Sequence, residues 1–377
     1  MTELVPAEAF SPGEILQDEL EARKWTQIEF AEIIGRSPKF VNEIIKGEKS
    51  ITTRTAREIA AALGTSPLLW LNLESAYRLH HSQDPIPERI GHQARLRERF
   101  PVHEMVKRRW IEASSDPAVL EAHVLRFFAI NSIGDTPRLA HAAKRTGYPT
   151  DLNGPQLAWL FRVKQLAETM QGVRTYSERL LRDAVSTLQA MRIAPEAISA
   201  VPRLLAECGV RFVIVEHVPS SKIDGVCFWL SGSSPVIGMS LRQDRIDNFW
   251  FVLRHEVEHV LNKHGRGEAI IDETLGFPGA PGSQTEQEQI ANDAAAEFCV
   301  PQDEMADFIA RHRPIFTAES VRNFANRMRV HPGLVVGQLQ RLTGRWDLFR
   351  TRLVRIREHI VPVAYADGYG QVIALGV

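Results

Sequence analysis

The sequence predicts a mainly α protein that passes into an α+β unit toward its C-terminal end, and three observations carry that prediction. Apolar residues recur at helical spacing between capping residues through the first half of the chain. Three β-branched runs then follow one another between Val210 and Ser240. Directly after them, Ile246–Leu261 combines a helix-period apolar stripe with the pattern H-E-x-x-H at His255–His259.

Composition bounds the class. The chain has 377 residues, 44% hydrophobic and 24% charged, with a formal net charge of -1, which suits a globular protein of two or three domains. No apolar run approaches the ~20 residues of a membrane span, and no basic-plus-apolar signal opens the sequence, so no membrane partner is expected. Cys208, Cys227 and Cys299 are odd in number and scattered, which disfavours a disulfide framework and fits a reducing cytoplasm. None sits in a C-x-x-C, so a zinc knuckle is excluded. Near-neutral charge excludes wholesale nucleic-acid coating but leaves room for a local basic face.

The first unit runs from about Phe10 to His80. Ser11 and Pro12 open a helix, Thr26–Ile34 forms a second closed by Gly35, and Ser37–Gly47 a third, followed by helices at Thr53–Leu63 and Ser66–Tyr77. Two short helices joined by a tight turn, with small Ala31 at the crossing, make a helix-turn-helix layout. Arg36, Ser37, Lys39, Phe40, Asn42 and Lys46 are the candidate DNA-contacting residues: the polar ones offer groups to phosphates and base edges, and Ser37 caps the helix whose N-terminus suits a phosphate. The competing reading is a five-helix protein-contact module, because Glu43 and Glu48 nearly balance the lysines.

The run Pro12-Gly13-Glu14-Ile15-Leu16, then Gln27, Ala31, Gly35, Asn42, Ile45, Gly47, Thr55-Ala56 and Leu63–Pro67 to Trp70–Leu73, resembles the HigA-type antitoxin subgroup of Xre/Cro repressors. The resemblance implies a five-helix, lambda-repressor-like helix-turn-helix domain over residues 1–80. It also implies a homodimer on double-stranded operator DNA, the helix beginning near Ser37 entering the major groove, with a toxin as a further candidate partner.

Residues 81–207 read as a helical connector after a linker at Asp84–Pro87, with helices at Val102–Ala113, Pro117–Phe128, Thr136–Arg145, Gly154–Met170, Thr175–Met191 and Pro195–Glu207. The basic run Lys107-Arg108-Arg109 reads as a solvated helix face.

Val210–Val218, Val226–Leu230 and Pro235–Ser240 are strands, and the latter two are the candidates for taking a substrate backbone by strand addition. In the following helix, His255 and His259 stand one turn apart and can reach a single metal ion, with Glu256 beside it to hold and deprotonate a metal-bound water. Phe249, Leu253, Val257 and Val260 form the core stripe, and His217 and His264 read as structural or solvated. A catalytic zinc keeps three protein ligands, so a carboxylate from the acidic helix Glu286–Val300 completes the set; Glu286, Glu288 and Asp293 are all available. Val321–Gln340 has the look of a second helix-turn-helix, with core packing the favoured reading; residues 346–377 form a tail of uncertain role, strand-like over Ile360–Val377.

His255-Glu256-x-x-His259, followed by Glu288-x-x-Ala291-Asn292 and Glu297–Pro301, resembles the ImmA/IrrE family of zinc metallopeptidases. The sequence departs from the family pattern at Ala294, where Phe is common, and at Cys299. The resemblance implies a zincin-like α+β domain over residues 208–345, with His255, His259 and Glu288 as ligands of Zn2+ and Glu256 as the catalytic base. It implies cleavage of a specific protein substrate, a repressor or antitoxin. The alternative is a non-proteolytic repressor whose zinc domain is a sensor or partner surface.

Overall fold

In the computed structural model, residues 10–81, 88–137, 152–266, 269–273 and 285–373 are described. The Asp84–Pro87 linker and all but the first two residues of the expected helix Thr136–Arg145 lie outside them. The chain divides into two compact units between Glu88 and Arg89.

The first unit has five helices: α1 (Pro12–Ala22), α2 (Gln27–Ile33), α3 (Pro38–Ile45), α4 (Thr53–Leu63) and α5 (Pro67–His81). Ser11, Thr26, Ser37 and Thr52 cap the first four, each accepting a hydrogen bond from a backbone N–H of the first turn. Their inward faces meet around Leu16, Phe30, Ala31, Val41, Ile59 and Trp70, all fully buried. Gly13 is required by close approach: a Cβ there would lie 2.3 Å from the Ile45 carbonyl oxygen, so a side chain would push α1 off the end of α3.

The second unit opens with α6 (Glu88–Arg99), α7 (Val102–Lys107), α8 (Pro117–Phe128) and α9 (Gly154–Thr169). After α10 (Glu178–Met191), a 3-10 turn at Pro195–Ala200 and α11 (Val201–Glu207), the chain enters β1 (Arg211–Val215), β2 (Ile223–Trp229) and β3 (Pro235–Met239). Then come α12 (Ile246–Leu261), β4 (Ile270–Glu273), α13 (Glu286–Cys299), α14 (Gln302–His312), α15 (Ala318–Met328), α16 (Pro332–Thr343), α17 (Arg357–Ile360) and β5 (Tyr365–Asp367). The protein is thus mainly helical, with a small mixed sheet in its C-terminal half.

The sheet order is β4-β2-β3-β1-β5, with β1 parallel to β3 and β5, and β2 antiparallel to β3 and β4. Successive strand residues face opposite ways. Val213, Val215, Val226, Phe228 and Val236 join the core of α6–α9, whereas Phe212, Ile214, Cys227, Ile237 and Met239 join that of α10–α13 and α16. The sheet is therefore buried on both faces, which explains why its strands read as continuous apolar runs.

Three sequence expectations take a different form here. Within residues 81–207, read as a connector, α6–α9 supply one layer over the sheet, and Trp159 of α9 donates to the Val215 carbonyl at 2.9 Å. Part of the expected tail is the edge strand β5, where buried Asp367 accepts hydrogen bonds from Trp110 and Arg162. The proposed substrate-accepting strands β2 and β3 are both flanked by other strands, so their backbone groups are already paired; the edges are β4 and β5. The second helix-turn-helix-like pair, α15–α16, is a packing element, since α16 buries Leu334, Val335, Val336, Gln338, Leu339 and Gln340.

Candidate metal centre and nucleic-acid interface

Helix α12 spans the predicted residues and is buried almost throughout, with His255, Glu256 and His259 all at 0% exposure. That excludes an amphipathic surface helix with solvated histidines. The Nε2 atoms of His255 and His259 lie 2.9 Å apart. From α13, Glu288 brings Oε2 to 3.4 Å from the first and Oε1 to 3.3 Å from the second. Thr285 starts that helix by accepting from the Glu288 N–H, which fixes Glu288 in the first turn.

Two imidazole nitrogens facing each other at this distance repel unless a proton or cation lies between them. Tetrahedral coordination with bonds of about 2.0–2.1 Å needs donor atoms about 3.3–3.4 Å apart, and the three edges here, 2.9, 3.3 and 3.4 Å, are close to that. The residues therefore fit a divalent cation with one position left open. His255, His259 and Glu288 are a candidate metal-binding triad among the described residues; Glu286 and Asp293 are exposed and stand outside the cluster.

Glu256 does not join the three. Its carboxylate is turned against β2, where a Cβ at Gly225 would lie only 2.0 Å from Oε1. The strand makes room for this side chain by having none of its own.

Two features escaped the sequence reading. Gly225 is one, and nothing in the strand pattern marked it. The other is His264, whose Nδ1 lies 3.0 Å from Nδ1 of His259. With Nε2 of His259 directed at the metal position, its proton belongs on Nδ1 and is donated to His264, which must then carry its own proton on Nε2. Burial, and then the neighbouring His259, lower the His264 pKa and keep it a neutral acceptor. Its place five residues after His259, just past the helix end, was the available signal.

In the first unit, α3 presents Lys39 with 85% of its side chain exposed, and Lys46 is exposed as well. Asn42 is half-buried. The remaining candidates are engaged within the unit. Arg36 forms a two-pronged bond to Glu58 of α4 at 2.9 Å per prong, Ser37 caps α3, and Phe40 is flanked by Arg36 and Lys49 at 5.0 and 4.8 Å.

A buried His-Glu-x-x-His helix, completed by a carboxylate from the next helix and backed by a mixed sheet, defines a metallopeptidase-like domain; five capped helices around α2–α3 define a helix-turn-helix domain. Comparison with known proteins agrees. Residues 16–70 match the helix-turn-helix family and residues 209–339 the IrrE N-terminal-like domain family (peptidase family M78). It is 35% identical over 72 residues to virulence-associated protein I of Dichelobacter nodosus, covering 19% of this chain and 67% of that protein. It is 32% identical to a solved addiction-module antidote protein of the HigA family from Coxiella burnetii, covering 22% of this chain and 94% of that one, with a TM-score of 0.21. It is 29% identical to PA4674 of Pseudomonas aeruginosa, solved with its operator DNA, covering 23% and 94% with a TM-score of 0.21. The helix-turn-helix family match makes the N-terminal unit a DNA-binding regulator domain. Among the described residues no helix is long and apolar enough to cross a membrane.

Proposed function

We propose that this chain is a cytoplasmic, antitoxin-like transcriptional regulator whose C-terminal domain is a zinc-dependent endopeptidase acting on one specific protein, a repressor or an antitoxin. Residues 1–80 would bind operator DNA as a homodimer through α3, and residues 208–345 would carry the peptidase. The observation that carries the reading is the convergence of His255, His259 and Glu288 beside the buried Glu256. Two imidazoles and one carboxylate with an open fourth position suit catalytic zinc. When bound, zinc polarises the scissile carbonyl and acidifies the attacking water.

The chain's own residues do the rest. His255, His259 and Glu288 hold the ion, and His264 holds the ring of His259 in orientation. Glu256 takes the proton from the water at its carboxylate and returns it to the departing amide nitrogen, which needs a hydrogen before it can leave as an amine. Solvent is kept from this carboxylate by the packing of α12 on β2.

Glu256→Gln tests the reading. It keeps shape and hydrogen-bonding capacity and removes the base, so zinc content and operator binding should stay while cleavage falls by roughly 10²–10⁴ or more. The readout is intact-mass spectrometry of the cell's DNA-bound repressors with and without the variant. Regulation by Glu256→Gln equal to wild type would mean that the zinc domain serves as a sensor or docking surface instead.

A further inference from the structure

Beside the metal centre, α12, α16 and the segment after it enclose a cleft of about 40 Å³, lined by Arg245, Asp247, Phe251, Gln338, Arg341 and Trp346. A water needs about 10–15 Å³ measured this way, so the space admits about three heavy atoms, the size of a carboxylate group. Its two guanidinium groups are in different situations. Arg245 is neutralised, with Nε and Nη2 on the two oxygens of Asp247 at 3.1 and 2.6 Å. Arg341 has no carboxylate within ion-pair distance among the described residues. Among the described residues it makes a 3.4 Å hydrogen bond to the Gln338 amide oxygen, and its guanidinium lies 5.0 Å from the centre of the Phe251 ring. Burial opposes its charge and lowers its pKa, against weaker through-space pulls from Cys299 and Asp293. A half-buried cation in this condition gains by meeting an anion.

The cleft is also tied to the reaction centre. The Phe251 ring that Arg341 overlies is stacked toward His255, with ring centroids 6.5 Å apart. The guanidinium is therefore no more than about 12 Å from the ligand ring, a span of about three or four residues of extended peptide. We propose that the Arg341 cleft is a substrate subsite, taking an acidic side chain (Asp or Glu) of the polypeptide within about four residues of the bond that is cut. The planar fork of Arg341 grips the carboxylate, and Phe251 packs against the methylenes. This rests on the peptidase reading above and specifies its substrate class.

The test uses two fluorescein-labelled degenerate decapeptide pools that differ at one fixed position, Asp/Glu in one and Asn/Gln in the other. Binding is measured by anisotropy on the full zinc-loaded chain carrying Glu256→Gln, and cleavage by mass spectrometry on the unsubstituted chain. The acidic pool should bind about 10–100-fold more tightly, as a charge-assisted hydrogen bond gives. Arg341→Gln should erase the difference, and Arg341→Lys should keep part of it. Equal binding of the two pools, or a preference that survives Arg341→Gln, overturns the subsite. Preferential binding of the acidic pool with no cleavage of either supports the subsite and defeats the peptidase reading. Cleavage of both pools with no difference in binding does the reverse.

Discussion

Helix α3 leaves most of the Lys39 side chain in water, whereas α12 keeps His255, Glu256 and His259 at 0% exposure. The two helices carry the candidate residues for the two proposed chemistries, and the difference follows from what each partner would bring. DNA arrives with a dense charge of its own, so long cations at the surface suffice to attract it, and they cost little to keep there. A metal ion needs donor atoms fixed to fractions of an ångström and shielded from competing water. Accordingly α3 holds its position through a few local contacts: Arg36 is pinned to Glu58, Ser37 caps the helix, and Phe40 packs between two cations. In α12 the support comes from other elements, with Gly225 giving space, His264 placed 3.0 Å from the His259 ring and Glu288 completing the candidate triad.

The comparison breaks most visibly at Gly225. Gly225→Ala would put a methyl group 2.0 Å from Oε1 of Glu256 and displace the carboxylate. Cleavage should fall about as far as in Glu256→Gln, roughly 10²-fold or more, while zinc content by elemental analysis stays near that of the unsubstituted protein. Full activity in Gly225→Ala would mean that the position of Glu256 against the strand is unimportant.

His264 sharpens the same side of the comparison with a smaller effect. Loss of a hydrogen-bond partner behind a metal histidine costs about 10–100-fold in metal affinity. Competition with a chelator of known affinity should show that loss for His264→Ala. His264→Gln, which still offers an acceptor, should recover most of it. Unchanged affinity in His264→Ala would show that the 3.0 Å contact does not orient the ligand ring.

On the α3 side the changes should be milder and sensitive to salt. Lys39→Ala should weaken operator binding about equally for all sequences and reduce the salt slope by about 1, as expected of one lost phosphate contact. Asn42→Ala should instead relax base preference by about 1–3 kcal/mol at one position, if Asn42 pairs with a base edge. Electrophoretic mobility shifts over a salt series with operator variants separate the two. Metal removal should alter neither, because the helix-turn-helix unit has a core of its own around Phe30 and Trp70.

Local patterns in the sequence reveal the helices and the ligands and leave the supports hidden. The bounds of α12, the ligand pair one turn apart and the caps Ser11, Thr26 and Ser37 are all written within a few residues of one another, so periodicity and spacing find them. The layer formed by α6–α9 was invisible because its contacts with the sheet join residues far apart in sequence, as from Trp159 to Val215. Helical spacing says that α9 has buried faces without saying against what. The tail strand β5 was legible as extended chain, but its partner Arg162 lies 205 positions away. β4, among the shortest of the strands, carried no alternation long enough to register.

The smallest expected effect concerns α16, the helix that carries Arg341. His331 caps it, with Nδ1 accepting from the Gly333 N–H at 3.0 Å, and this requires a neutral ring. Burial lowers the His331 pKa below its ordinary 6.5, against a weaker opposing pull from Glu196. The folded state thus binds this proton less tightly than the unfolded chain does, so stability must fall as protons are added. The cap contribution is complete above pH 6.5, the unfolded value, and is lost as pH falls through the lowered folded value. His331→Asn keeps an acceptor with nothing to titrate, and should flatten the decline in denaturant midpoint between neutral and mildly acid pH. His331→Ala should cost about 1 kcal/mol at neutral pH, the usual worth of a helix cap, and flatten the decline as well. A decline in His331→Asn as steep as in the unsubstituted chain would assign the acid sensitivity to other groups.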